Sequence, residues 1–264
     1  MNKNQKKLVR GLLVLALVCC ITIVNRGILM ASDEDTEPLL TDTPIEVTSD
    51  IAVYDKYMWR GFKLDDDPVI QPGIYLSGWG FEASVWSSFD FDADDDLNSD
   101  EVDYVVGYSH DLNEYLKVPL TVSGGFAYYD FPAADLASRE FYVGAALDVI
   151  LSPSVTWYHD FGEEDSGGGD GDYVVGELSY SYAIPETPAS LDLSAHVGYN
   201  NELFIVGDGG GDVGLGAALT IALSEKCTIA PTVGYSIPFG DLEDANDGNQ
   251  DDEVYFGGVL AYSF

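Results

Sequence analysis

The sequence predicts an all-β fold, an antiparallel transmembrane β-barrel of twelve strands, and three observations point there. From Glu46 onward, segments of roughly ten residues alternate apolar with small or polar side chains. The connections between these segments alternate between short and long. The chain closes on an aromatic segment that ends at Phe264.

Successive side chains on a strand point to opposite faces, so a strand between lipid and a lumen reads with period 2. In the last segment Val254, Phe256, Gly258, Leu260, Tyr262 and Phe264 fall on one face, and Glu253, Tyr255, Gly257, Val259, Ala261 and Ser263 on the other. Leu191, Leu193, Ala195, Val197 and Tyr199 oppose Asp192, Ser194, His196, Gly198 and Asn200 in the same way. So do Val213, Leu215, Ala217, Leu219 and Ile221 against Gly214, Gly216, Ala218 and Thr220. Twelve such segments begin near Val47, Val69, Phe81, Val102, Leu116, Arg139, Ser154, Tyr173, Ala189, Val213, Cys227 and Val254.

Short turns are expected around Gly78 and Gly80 and at residues 111–114, 151–153, 185–188 and 224–226. Longer Gly- and Asp-rich loops are expected at 64–68, 90–101, 130–138, 162–172, 200–212 and 240–252. Short turns on one rim and long loops on the other describe an outer-membrane barrel, and an even strand number leaves both ends on the short-turn rim. Aromatics cluster near the long-loop ends: Tyr57, Trp59, Phe89, Phe91, Tyr128, Tyr129, Trp157, Tyr158, Tyr173, Tyr199 and Phe256. Together they read as a belt at the lipid headgroups, although any one of them taken singly reads better as a packed strand aromatic. A soluble β-sandwich also alternates, but it does not combine strands of this length with alternating connections and a terminal aromatic strand.

The first residues read as export machinery. Lys3, Lys6, Lys7 and Arg10 precede an apolar run from Gly11 to Val24, and Ala31 and Ser32 lead into an acidic stretch. This is the pattern of a cleavable signal peptide over 1–31. A retained anchor is the alternative, though the run is short for a span and Arg26 would sit inside it. Residues 32–45 follow as an acidic periplasmic segment, and the barrel occupies 46–264. Past residue 31 the chain holds six Lys+Arg against 46 Asp+Glu, a net charge of −40. Such a surface repels a nucleic-acid backbone and attracts cations. Cys227 is the one cysteine left after export, so no disulfide forms within one molecule. Cys19 and Cys20 lack the small preceding residue of a lipidation site.

Tyr57-Met58-Trp59-Arg60-Gly61-Phe62 resembles the Tyr-x-x-Arg-Gly element near the start of TorF-type outer-membrane porins. Gly80-Phe81-Glu82-Ala83-Ser84-Val85-Trp86 is similar to that family's Gly-aromatic strand. Gly125-Phe126-Ala127-Tyr128-Tyr129-Asp130-Phe131-Pro132 resembles its Tyr-Tyr-x-aromatic-Pro element. Arg139-Glu140-Phe141 resembles the acidic strand start beyond it, and His196-Val197-Gly198-Tyr199 a later hairpin arm. Asp55-Lys56 stands where the family has Ser-Asp. The resemblance spans roughly 48–264 and implies a porin-like protein of the bacterial outer membrane, with no substrate specified. The aromatic C-terminal strand likewise resembles the signal read by the barrel-assembly machinery. The strand bearing Tyr57 to Arg60 is expected to pair with it and close the cylinder.

With the apolar rows against lipid, the opposite rows line the lumen. They supply Glu82, Asp103, Glu140, Asp148, Asp160, Glu177 and Asp192, with Lys56, Arg60, Lys117 and Lys226 as the inward bases. Of these, Arg60, Glu82, Asp103, Glu140, Asp148 and Glu177 are the candidates for setting selectivity. Twelve tilted strands give a backbone diameter on the order of 20 Å, and an inner face rich in Gly, Ala, Ser and Thr leaves room for water. Carboxylate-lined walls favour cations over anions, so the expected function is passive diffusion of small hydrophilic solutes with cation preference. For each carboxylate singly, hydration of a wet interior explains it as well. Arg60 reads either as part of a constriction or as a structural ion pair, and Tyr75, Tyr142 and Tyr255 are the side chains able to occlude the lumen.

The acidic loops are the other candidate, for a non-conducting barrel that binds divalent cations or a partner. Asp90, Asp92, Asp94, Asp96 and Glu101 imitate a calcium-loop spacing, but Asp95 stands where the turn needs Gly. Loose Ca²⁺ or Mg²⁺ association is the most these loops suggest, and a solvated acidic surface explains them too. Gly167–169 and Gly209–211 read as flexible tips and not as phosphate cradles. No enzymatic cofactor is implied. His159 and Asp160 are adjacent and point to opposite faces. Ser194, His196 and Asp192 share a face, but at roughly 6.5–7 Å per two residues they are too far apart for a relay.

Overall fold

The computed structural model describes residues 45–91, 100–162, 168–205, 207, 209–245 and 250–264. The signal-peptide reading of 1–31, the acidic segment up to residue 44 and most of the calcium-like stretch lie outside them. The elements are β1 (Glu46–Tyr54), β2 (Tyr57–Trp59), β3 (Phe62–Asp65), β4 (Val69–Gly78), β5 (Phe81–Asp90), β6 (Glu101–Asp111), a helical turn α1 (Asn113–Leu116), β7 (Leu120–Phe131), β8 (Leu136–Leu147), β9 (Ser154–Asp160), β10 (Asp172–Ala183), β11 (Ala189–Asn201), β12 (Gly210–Ser224), β13 (Cys227–Phe239) and β14 (Glu253–Ser263).

Twelve of these strands, β1 and β4 to β14, form one closed antiparallel barrel in which β1 pairs with both β4 and β14. Closure leaves no free sheet edge, so every strand finds backbone partners on both sides, as a lipid environment requires. The outer rows are apolar and open: Ile51 is 47%, Val106 55%, Val197 55% and Leu260 46% exposed. An exterior this apolar around the whole wall is stable against lipid and not against water. The inner rows carry hydroxyls, small residues and carboxylates, following the alternation that the sequence shows.

The predicted strand starts lie within four residues of the observed ones, and the departures have local causes. Near Leu116 the chain makes the turn α1 and reaches β7 four residues later. The connection expected over 130–138 shrinks to four residues, because Phe131 pairs with Leu136. Gly210 and Gly211 open β12 and are buried, not loop tips. A Cβ on Gly210 would meet the Leu242 backbone nitrogen, and one on Gly211 would lie 2.6 Å from Phe239 Cζ.

Closure itself departs from expectation. The partner of β14 is β1, with Thr48 opposite Ser263 and Tyr54 opposite Gly257. Tyr57 to Arg60 belong to no barrel strand. They form, with Phe62 to Asp65, a separate two-stranded sheet whose residues are mostly buried. The first long-loop connection therefore folds inward, into the barrel.

Candidate functional site

The inward hairpin turns between Trp59 and Phe62, which face each other across it with rings stacked 5.8 Å apart. Its two central residues both have positive φ, Arg60 at 44° and Gly61 at 83°. That is the signature of a two-residue turn whose twist matches the flanking strands. Gly61 is also needed for space. A Cβ there would lie 2.6 Å from both Asp212 Cβ and Leu242 Cδ2. Gly61→Ala combines a left-handed backbone with this clash, so it is expected to destabilise the hairpin by about 2 kcal/mol. Limited proteolysis of the folded barrel reads the change, and unaltered resistance would remove the packing argument.

Arg60 points from this turn into the wall. Its guanidinium donates twice to Glu140 on β8, Nη1 to Oε2 at 2.7 Å and Nη2 to Oε1 at 3.0 Å, and both side chains are fully buried. Three rings enclose it, with centroids 4.6 Å (Trp59), 4.2 Å (Tyr158) and 4.6 Å (Tyr173) from Cζ. Tyr129 donates its hydroxyl to Glu140 Oε1 at 2.9 Å. A buried ion pair offsets its desolvation only with good geometry and extra hydrogen bonds, and both are present. The π-faces add attraction for the cation. Tyr57 makes a second anchor by donating to Glu101 on β6 at 2.9 Å. Each named residue of the Tyr57-x-x-Arg60-Gly61 element thus has a physical task in holding this hairpin.

A third tether faces β14. Lys56 and Lys63 each reach Glu253 at 2.7 Å, with Asp66 3.8 Å and 3.3 Å away. The Lys63 amide donates to Gln250 Oε1. The hydrogen bond to Glu253 raises the Lys56 pKa above the usual lysine value, so the ammonium stays charged at neutral pH. Unlike the Arg60–Glu140 pair, this cluster is partly solvated.

Below the hairpin lies a cavity of about 580 Å³ that runs from Glu46, Ser77 and Ser152 at the short-turn end up to Tyr57 and Gly61. Asp50, Glu82, Glu177 and Asp192 line it. Tyr142 donates to Glu82 at 2.7 Å, Tyr75 to Asp50 at 3.3 Å and Ser154 to Glu177 at 3.4 Å. Asp192 accepts from the hydroxyls of Ser181, Ser190 and Thr220. Several inward glycines sit where aromatic rings lie down along the wall. Tyr142 covers Gly107 and Gly125, Tyr255 covers Gly234, and Tyr54 covers Gly257. Packing over glycine keeps these rings beside the wall, not across the bore.

The sequence candidates fall into three groups. Glu82 and Glu177 line the cavity. Asp103 and Glu140 also point inward but lie, with Arg60, in the packed half beside the hairpin. Asp148 is not in the lumen, because β8 ends at Leu147 and Asp148 is exposed in the turn beyond it. Lys117 and Lys226 are likewise exposed on turns at that end. Asp160 is buried, accepting from Ser138 and from the Gly162 and Gly169 amides. Of the aromatics assigned to the headgroup belt, Tyr57, Trp59, Tyr129, Tyr158 and Tyr173 are buried inside the barrel. The alternation places them there, since each sits on an inward row or on the hairpin. Phe89, Phe91, Trp157, Tyr199 and Phe256 are on the outside.

Sequence reasoning missed Asp50, Glu101 and Asp212. Asp50 and Glu101 share their strands' inward rows with Thr48 and Asp103, a signal that was available. Asp212 looked like the end of a loop. It accepts from Tyr173 at 2.8 Å and pairs with His196 Nε2 at 2.6 Å. His196 therefore partners Asp212 on the adjacent strand and not Asp192, and a Ser194–His196–Asp192 relay is not assembled.

This closed twelve-stranded antiparallel barrel is similar in fold to solved outer-membrane porins. The NanC porin matches with a TM-score of 0.55 at 12% identity, over 82% of this chain and 100% of that one. The KdgM porin matches with a TM-score of 0.54 at 13% identity, over 82% and 99%. The same porin in complex with disordered oligogalacturonate matches with a TM-score of 0.52 at 13% identity, over 83% and 99%. Identities this low make the likeness one of fold. Residues 40–223 match Gcw_chp, described as a bacterial protein of unknown function, and the chain belongs to that family. No curated protein matches the sequence.

Proposed function

We propose that the protein is a porin-like outer-membrane channel, as the resemblance to TorF-type porins implies, and that it passes small hydrophilic solutes by passive diffusion with a cation preference set by its lumen. The observation that carries this reading is the charge of the cavity wall. Asp50, Glu82, Glu177 and Asp192 line it, while the bases that reach it, Lys56, Arg60 and His196, are engaged by Glu253, Glu140 and Asp212. A wall of carboxylates lowers the energy of cations and raises that of anions. Such a lumen disfavours a polyanion like the oligogalacturonate in the KdgM complex. On this reading residues 1–31 direct export, and the β14 end serves the barrel-assembly machinery.

Planar-bilayer recording of the refolded protein tests it. Discrete open steps are expected, with a reversal potential of cation-selective sign in a KCl gradient. Glu82→Gln with Asp192→Asn is expected to lower the cation-to-anion permeability ratio several-fold. Anion preference in the unmodified protein would reject the electrostatic part alone. A second reading, a non-conducting barrel whose acidic extracellular loops bind divalent cations or a partner, draws on the packed half around Arg60. An absence of steps from correctly folded protein would favour it.

A further inference from the structure

The hairpin does not fill the barrel evenly, and the asymmetry singles out one wall as the permeation route. On β6, β7 and β8 the cavity stops at Val105, Ser123 and Tyr142. Above those residues Asp103, Tyr129 and Glu140 are wholly buried. On the opposite side it climbs further, to Asp212 on β12, Ser236 on β13, Tyr255 on β14 and Tyr54 on β1, close to the long-loop ends of those strands. That wall is built from small side chains, with Gly214, Gly234 and Gly257 on its inward rows, and the Tyr54 and Tyr255 rings lie against it.

The tethers show the same asymmetry. On the packed side the Arg60 and Glu140 side chains are 0% exposed. On the open side the side chains of Lys56, Glu253 and Lys63 are 16%, 15% and 24% exposed, so water reaches the ions that bridge hairpin and wall. Ser236, at the top of the cavity, stands opposite Glu253 in the β13–β14 register. The upper end of the cavity and the ion cluster are therefore neighbours.

We infer that solutes pass between the hairpin and the β13–β14 wall, beside the point where Gly61 packs against Asp212 on β12, and that Glu253, with Lys56 and Lys63, forms the charged constriction that sets selectivity. This rests on the channel reading and gives it a location. The charges at the narrowing are Glu253 and Asp66 against Lys56 and Lys63, with Asp55 adding its field. The balance is close, so removing the Glu253 charge cancels the negative excess at the narrowing. Charges at a narrow, partly dehydrated point weigh more than those on the wider wall below.

The test uses the full barrel in planar bilayers. Glu253→Gln leaves two lysines facing Asp66 and Asp55, and the cation-to-anion permeability ratio is expected to fall several-fold. Lys56→Gln with Lys63→Gln leaves Glu253 and Asp66, and the ratio is expected to rise. A merely structural tether would loosen in both variants and move conductance the same way, without opposite shifts in selectivity. A thiol scan serves if either variant folds poorly. In a Cys227→Ser background, a cationic methanethiosulfonate is expected to block Ser236→Cys and to leave Ser138→Cys, on the packed side, conducting. Unchanged selectivity in both charge variants, or block through Ser138→Cys instead, would overturn this route while the channel reading stands. An unmodified barrel that does not conduct would overturn both.

Discussion

Replacing Arg60 with alanine is expected to release the hairpin from the barrel wall, lowering the protection of the amides at residues 57–65 by roughly a hundredfold or more. The size follows from what remains behind. Glu140 is fully buried, and its carboxylate depends on Arg60 for charge compensation, with Tyr129 as its other donor. Breaking a buried pair by removing one partner costs about 3–5 kcal/mol, chiefly the penalty of an uncompensated charge. The three rings that enclose the guanidinium lose their cation as well. Hydrogen exchange on the barrel in detergent reads this locally, since the hairpin can open while the wall stays closed.

The compensating variant separates charge from shape. Arg60→Met with Glu140→Gln removes both charges and keeps an acceptor for the Tyr129 hydroxyl. Apolar or neutral replacements of similar volume often recover what a broken pair loses. Protection in the double variant is therefore expected to return more than half-way to that of the unmodified protein. Strongly non-additive losses of this kind are what coupled partners show. If Arg60→Ala leaves the hairpin amides as protected as before, the ion pair is not what holds it. The other anchors, Tyr57 to Glu101 and the two lysines to Glu253, would then be carrying the load.

The barrel was legible in the sequence because its signal is local. Each wall strand repeats with period 2 over enough residues to show which row is apolar, so Glu82, Glu140 and Glu177 could be placed inward from their neighbours alone. The hairpin was not legible. Its strands are three and four residues long, too short for alternation to declare a face. The contacts that pull it inward span 44 residues from Tyr57 to Glu101, 80 from Arg60 to Glu140 and 197 from Lys56 to Glu253. No local pattern encodes partners that distant. Tyr57 and Trp59 looked like belt aromatics because they follow a strand end, where interfacial rings gather. What sends them inside is the turn at Arg60 and Gly61. Asp148 failed for the opposite reason: it continued the inward row of β8 by one step after the strand had ended.

Excising residues 58–64 and bridging the gap with a short Gly-Ser turn is expected to raise single-channel conductance several-fold. Those residues include Trp59, Arg60 and Phe62, the bulk of the hairpin, all buried inside the barrel. Twelve strands enclose a backbone diameter on the order of 20 Å, and the lower wall is lined by small side chains and carboxylates that tolerate water. Removing the hairpin opens the packed half to solvent, and Glu101, Asp103 and Glu140 become hydrated wall groups in place of buried ones. The cost of exposing them is small, because water replaces the partners they lose. The barrel closes through β1 pairing with β4 and β14, none of which uses the excised residues, so the wall should still assemble. Cation preference should persist or strengthen, since the excision removes Arg60 and Lys63 and leaves Asp50, Glu82 and Asp192 in place. Partitioning of graded polymers into the open channel measures the gain in bore directly, with a larger cut-off expected than in the unmodified protein. An unchanged cut-off and conductance would mean that the narrowest point lies elsewhere. A variant that conducts where the unmodified barrel does not would identify the hairpin as a plug.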